Sequence, residues 1–174
     1  MYKVLNIGNK DYKLEYTVEA ALYKDGVDRL IDFIGGLGGA QSEPDITKDL
    51  DSESKTKVRV QIVNNLKSEI TNLPNTALEL FYMGLLQHHG EDGDGTVLDI
   101  KSAKRLVTQY FAEQDTAENG INDFAALLSV CMNQMGEDGF FKRTGLERIA
   151  EQSEAAKPNR ATRRAQKRLT ESKS

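Results

Sequence analysis

Few residues in this chain could do chemistry, and their spacing argues against most of it. The two histidines, His88 and His89, are adjacent. Neighbours on a helix point about 100° apart, so the pair is a poor chelate, and His89 reads as a hydrogen-bonded packing residue. Cys131 is the single cysteine. It falls on an apolar stripe with no resolving cysteine and no nearby base, the pattern of a small buried hydrophobe. The run EDGDGT that follows the histidines comes close to a calcium loop. With Gly95 at the invariant glycine, Asp92 and Asp94 take two ligand positions, but Gly90 and Lys101 fall where the first and last carboxylates belong. A polar turn is the better reading. The glycines of GGLGG at 35–39 lack the preceding strand and following Lys-Ser/Thr of a phosphate cradle. No Ser/His/Asp or paired-carboxylate arrangement stands out. We therefore assign no catalytic, cofactor or metal residue and expect a protein that is not an enzyme.

The elements that would position these residues are mainly helical. Residues 2–7 and 10–16 read as a hairpin around the two-residue turn Gly8-Asn9, where positive φ is cheap. Tyr2 and Val4, then Tyr12, Leu14 and Tyr16, alternate with polar neighbours at period two. A lone hairpin is marginal in water, so it must pack on helices. From Thr17 the period changes. Tyr23, Val27, Leu30, Ile31 and Ile34 form a helical stripe over 17–35, interrupted by Gly26 at a cost of up to about 1 kcal/mol. Residues 35–55, rich in Gly, Ser and Asp, read as a flexible loop. Val58, Ile62, Leu66 and Ile70 step by four, so 56–72 reads as a helix.

The strongest helical signal follows. Leu78, Phe81, Tyr82, Leu85, Leu86 and His89 make one buried face, widened by Leu80 and Met83. Pro74 closes the preceding segment, Thr76 and Glu79 have capping-box spacing, and Gly90 is a stop with access to positive φ. Such a helix belongs at the centre of a domain or in a partner's groove. Asp99 caps a helix to about Gln114 with Ile100, Ala103, Val107, Tyr110 and Phe111 on one face. After the loop DTAENG, a helix over 121–135 lines up Phe124, Leu127, Leu128, Cys131, Met132 and Met135. GEDG recurs at 90–93 and 136–139 as two similar helix stops. Thr144, with capping-box spacing to Glu147, starts a short last helix.

The 174 residues allow one domain with a real core plus a tail, and the 39% hydrophobic content is ordinary for that. No apolar run is long enough to span a membrane, and the N-terminus lacks the apolar stretch of a signal peptide. One cysteine suits a reducing cytoplasm. The charge is split. Residues 157–174 carry seven Lys/Arg against one Glu, net +6, which leaves −10 on residues 1–156 of a whole-chain −4. That split admits self-association, an anionic partner or nucleic acid. The expected organisation is a domain over 1–154, α+β but mainly α, with the hairpin on a bundle of about five helices. Residues 155–174 form a basic tail, disordered or folding on binding. There Arg160, Arg163, Arg164, Lys167 and Arg168 repeat at helical spacing, beside Ala161, Ala165 and Leu169.

Three stretches carry a family likeness: MYKVLNIGNKDYKLEYTVEAALYKDGV, NLPNTALELFYMGLLQHHGEDGDGTV and KRLVTQYF. Together the chain resembles the tail assembly chaperones of long non-contractile-tailed bacteriophages of Gram-positive hosts, over most of residues 1–140. The run LPNTALELFYMGLLQHHG is the specific part. The resemblance implies a protein of the host cytoplasm that builds the tail but is absent from the mature virion. Such chaperones keep the long helical tape measure protein soluble and help recruit tail tube subunits, and many occur also as a longer frameshifted form. A helix-in-groove mode suits this role. Phe81, Tyr82 and Leu85 on the central helix, Met132 and Met135 on the Met/Phe face, and the tail residues Arg160, Arg163, Arg164, Lys167 and Arg168 are the expected partner contacts. The alternative is a nucleic-acid-binding or scaffolding adaptor that acts through the basic tail. The acidic charge of residues 1–156 argues against nucleic acid.

Overall fold

The structure, a computed structural model, describes residues 1–41, 52–115 and 121–149. It is mostly helical with an N-terminal hairpin on several helices, as the sequence predicts. The chain divides into two compact units, Met1–Asp138 and Gly139–Ser174.

In the first unit the strands β1 (Lys3–Ile7) and β2 (Lys10–Leu14) pair antiparallel, with Leu5 opposite Tyr12 and Ile7 opposite Lys10. Gly8 and Asn9 both have φ of 62°, the two-residue turn with two left-handed positions. The phase of β1 corrects the sequence reading. Leu5 and Ile7 are buried, while Tyr2 and Val4 face outward. Both sets alternate at period two, and only the pairing across the turn selects between them: residues directly opposite share a face, so buried Tyr12 brings Leu5 in with it.

Helix α1 (Val18–Leu22) ends at Tyr23, whose backbone is extended, and α2 (Lys24–Gln41) begins at once. One helix over 17–35 is therefore two, and α2 runs on through the glycines expected to open a loop. Residues 42–51, the middle of that expected loop, lie outside the described residues. The buried line of α2 is Gly26, Leu30 and Phe33: of the apolar stripe of the sequence Leu30 alone is fully buried, Tyr23 and Val27 are half-buried, and Ile31 and Ile34 stay exposed. Gly26 explains the rotation. A methyl group there would come within 2.9 Å of Met83 Sδ and 2.8 Å of the Tyr23 ring. A bare backbone is what lets the helices meet along that line.

Helix α3 (Ser52–His89) is the axis of the unit, 38 residues with Pro74 inside it. The expected break at Pro74 does not occur. The carbonyl robbed of its partner by the proline belongs to Ile70, which is 71% exposed, so water can take the open acceptor. Beyond it the helix enters the core: Ala77, Leu80, Phe81, Met83 and Leu85 are fully buried. Each large apolar side chain buried there contributes about 1.5–3 kcal/mol. Thr76 is a buried mid-helix residue and no cap, and Glu79 accepts a hydrogen bond from the Tyr23 hydroxyl at 2.8 Å. Gly90 ends the helix as predicted but without positive φ.

Strand β2 crosses α3 at Gly84. The Glu15 amide donates to the Gly84 carbonyl at 2.8 Å, and the Tyr16 hydroxyl donates to the Leu80 carbonyl at 3.0 Å. Helix α4 (Ile100–Gln114) starts at Asp99, whose carboxylate accepts from the Ser102 amide at 2.7 Å, the predicted cap. Helix α5 (Phe124–Glu137) starts the same way at Asp123, with the Ala126 amide at 2.8 Å. Phe111 and Phe124 meet edge to face across these two helices, ring centroids 5.1 Å apart.

In the second unit α6 (Phe140–Arg143) follows Gly139. The expected short last helix begins just after Thr144, but Thr144 does not cap it. Its hydroxyl donates back to the Phe140 carbonyl at 2.9 Å, closing α6 from behind, and Gly145 turns the chain at φ 78° before another helical turn at 146–149.

Candidate interaction surfaces

The groups that could do chemistry are engaged in holding the first unit together. The buried ring of His89 lies between α3 and the hairpin. Its Nε2 accepts the Lys13 amide at 2.9 Å, so the ring proton is on Nδ1 and is donated to Asp94 Oδ2 at 3.0 Å. Burial lowers the His89 pKa below 6.5, against the opposing pull of Asp94. A His–Asp pair of this kind could orient a base, but the nitrogen that would act as base is occupied by backbone. His88 Nε2 lies 2.7 Å from Glu15 Oε2, and its ring meets Tyr2 edge-on at 5.6 Å.

The EDGDGT loop is a C-terminal cap for α3. The Asp94 amide donates to the His88 carbonyl at 3.0 Å and the Val97 amide to the His89 carbonyl at 2.8 Å, satisfying acceptors that the helix end leaves open. The half-exposed Asp94 carboxylate folds back over the helix end. It accepts from the Thr96 amide at 3.0 Å, from the Thr96 hydroxyl, and from Lys10 Nζ at 3.2 Å. Although burial works the other way, these bonds and the one from His89 hold its pKa well below the usual carboxylate range. The Asp94 carboxylate thus serves the cap, and no cluster of three or more His, Cys, Asp or Glu that could hold a metal ion occurs among the described residues.

Cys131 is buried beside the Tyr16 hydroxyl, and burial pushes its thiol up to about 12. Asp138, read in the sequence only as part of a helix stop, is a second buried anchor. It accepts from the Tyr16 amide at 2.8 Å, from Gln134 Nε2 at 2.9 Å, and from the Met1 ammonium at 3.1 Å. The sequence held little local signal for this role, since two of its three partners, Met1 and Tyr16, lie at the other end of the unit. Gly84 and Asp123 were missed too. Asp123 followed by an apolar helical run was a legible cap signal; Gly84 was not legible without β2 across it.

The expected partner contacts are placed unevenly. Phe81, Leu85 and Met135 are fully buried, so in this conformation they form core and offer no surface. Tyr82 is nearly buried, and its hydroxyl donates to the Leu98 carbonyl at 3.1 Å, pinning the segment before α4. Met132 is half-buried. Arg160, Arg163, Arg164, Lys167 and Arg168 lie outside the described residues. The apolar groups that face outward from the helices of the first unit are others, among them Val18 and Leu22 one turn apart on α1, Ile31 and Ile34 on α2, and Ile70 on α3. None of the helices is long and apolar enough to cross a membrane among the described residues.

No family model, curated protein or solved structure matches the chain.

Proposed function

We propose that this protein is a tail assembly chaperone of a long-tailed bacteriophage: it binds the tape measure protein in the host cytoplasm, keeps it soluble, and helps bring tail tube subunits to it. The observation that carries the reading is the resemblance of the three quoted stretches, supported by where they lie. The first forms the hairpin, α1 and the start of α2, the second nearly the last half of α3 with its capping loop, and the third lies in α4. They pack about one helix in one unit. The resemblance thus follows the core of the fold and not a detachable motif. With His88, His89 and Cys131 committed to internal contacts, binding through outer apolar faces is the work this surface suits best.

The test is co-expression with the gene product encoded immediately downstream. A long helical protein that co-purifies, and is soluble only in the presence of this chain, is the expected result. Unchanged solubility of that protein, or its recovery without this chain bound, overturns the proposal.

A further inference from the structure

The outer face of α2 carries a pattern that neither the core nor any chemistry uses. Gly26, Leu30 and Phe33 turn inward. About a quarter turn round the helix Val27, Ile31 and Ile34 follow one another at i, i+4 and i+7, Val27 half-buried, Ile31 46% and Ile34 42% exposed. Beside them, about a third of a turn round the helix, Asp25, Asp28 and Asp32 are all exposed at i, i+3 and i+7. Lys24 lies at the N-terminal end of this face and pairs with Asp28. The result is an apolar line edged by an acidic line. It is a surface helix whose best hydrophobic stripe was left outside when Gly26 set its contact with α3.

We infer that this face is a docking site for a cationic amphipathic helix of another protein. The inference rests on the reading of the chain as a binder of helical proteins and names the partner's chemistry. The charges select the occupant. Three aspartates repel nucleic acid and anionic lipid, and the net −10 of residues 1–156 attracts a basic segment over a distance. Two half-exposed isoleucines one turn apart call for apolar side chains at matching helical spacing. A helix with a leucine line and a lysine or arginine line beside it meets both demands at once, and a basic coil meets only one.

The test uses the whole chain and a labelled helix-forming peptide of leucine, alanine and lysine, about five turns long, with its leucines on one line and its lysines on the next. Fluorescence anisotropy is expected to show saturable binding that weakens as salt rises. Ile31→Ser with Ile34→Ser, and separately Asp25→Lys with Asp28→Lys and Asp32→Lys, should each weaken binding about tenfold or more, while each keeps the parent's circular dichroism spectrum and cooperative unfolding. The lysine-bearing variant should regain binding to a peptide with glutamate in place of lysine. Absence of saturation with the parent chain, variants that bind as the parent does, or equal binding of a scrambled peptide of the same composition would each overturn the assignment. Peptide binding without any effect on tape measure solubility removes the chaperone reading and keeps this one. Solubilisation that survives both α2 variants does the reverse.

Discussion

Replacing Gly84 with alanine adds one methyl group where β2 crosses α3, and the structure allows its effect to be worked out. The new Cβ would stand 2.5 Å from Leu14 Cδ1 and 2.9 Å from Tyr16 Cζ. Leu14 alone could yield a little. Tyr16 cannot: it is fully buried, its amide is tied to Asp138, and its hydroxyl is tied to the Leu80 carbonyl. In an exposed helix the same change would stabilise by about 1 kcal/mol. Here overpacking costs about 1–3 kcal/mol. If the strand lifts to relieve it, the bond from the Glu15 amide to the Gly84 carbonyl weakens, at about 1 kcal/mol more. Sterics win, and the net loss is about 1–3 kcal/mol. For a chain of this size that is a fall in Tm of roughly 2–10 °C. Denaturant and thermal unfolding followed by circular dichroism measure it. The cycle with Leu14→Ala is the sharper assay. Leu14→Ala alone costs about 2–5 kcal/mol, but it opens room, so Gly84→Ala should cost less on that background, with a coupling of about 0.5–3 kcal/mol. A Gly84→Ala protein more stable than its parent, or strictly additive changes, would refute the close approach of β2 to α3.

Four further outcomes follow from the same contacts. His89 is held neutral by burial, so the unfolded chain takes up its proton first, and stability should decline as pH falls below about 6.5; His89→Gln should flatten the decline in urea midpoints measured between neutral pH and mild acid. The Cys131 thiol, buried and pushed up to about 12, should resist thiol reagents in the native protein and react fully once denaturant is added. Asp99→Ala and Asp123→Ala each remove a cap from an amide and should cost about 1 kcal/mol, read as shifted urea midpoints with unchanged slope. Asp138→Ala strips a buried acceptor from the Tyr16 amide and Gln134, so it should cost more than either cap variant, about 2–4 kcal/mol.

What the sequence determined by itself is what depends on a few neighbouring residues. The Gly8-Asn9 turn needs only two positions at ease with positive φ. The start of α4 needs only a carboxylate at Asp99 within reach of the next turn's amide. The apolar periods of 78–89 and 124–135 named helices that are buried, and His89 and Cys131 were legible as packing residues because they fell on those periods.

The tertiary structure decided the rest, because in each case two local solutions were close in energy and a distant partner chose between them. Either face of β1 alternates correctly, and pairing with Tyr12 turned Leu5 and Ile7 inward. Either stripe of α2 could have been buried, and the missing side chain of Gly26 against Met83 left Ile31 and Ile34 outside. Pro74 could have ended a helix, but it falls where the helix is still exposed and the next turns have a core to enter. Glu79 and Thr144 had the spacing of caps, yet Tyr23 claimed the one and the carbonyls of α6 the other. Phe81, Leu85 and Met135 had the character of a binding groove, and became core because β2 and α1–α5 surround them. Local rules fix what a segment can be; which of its faces stays in contact with water depends on what the rest of the chain brings against it.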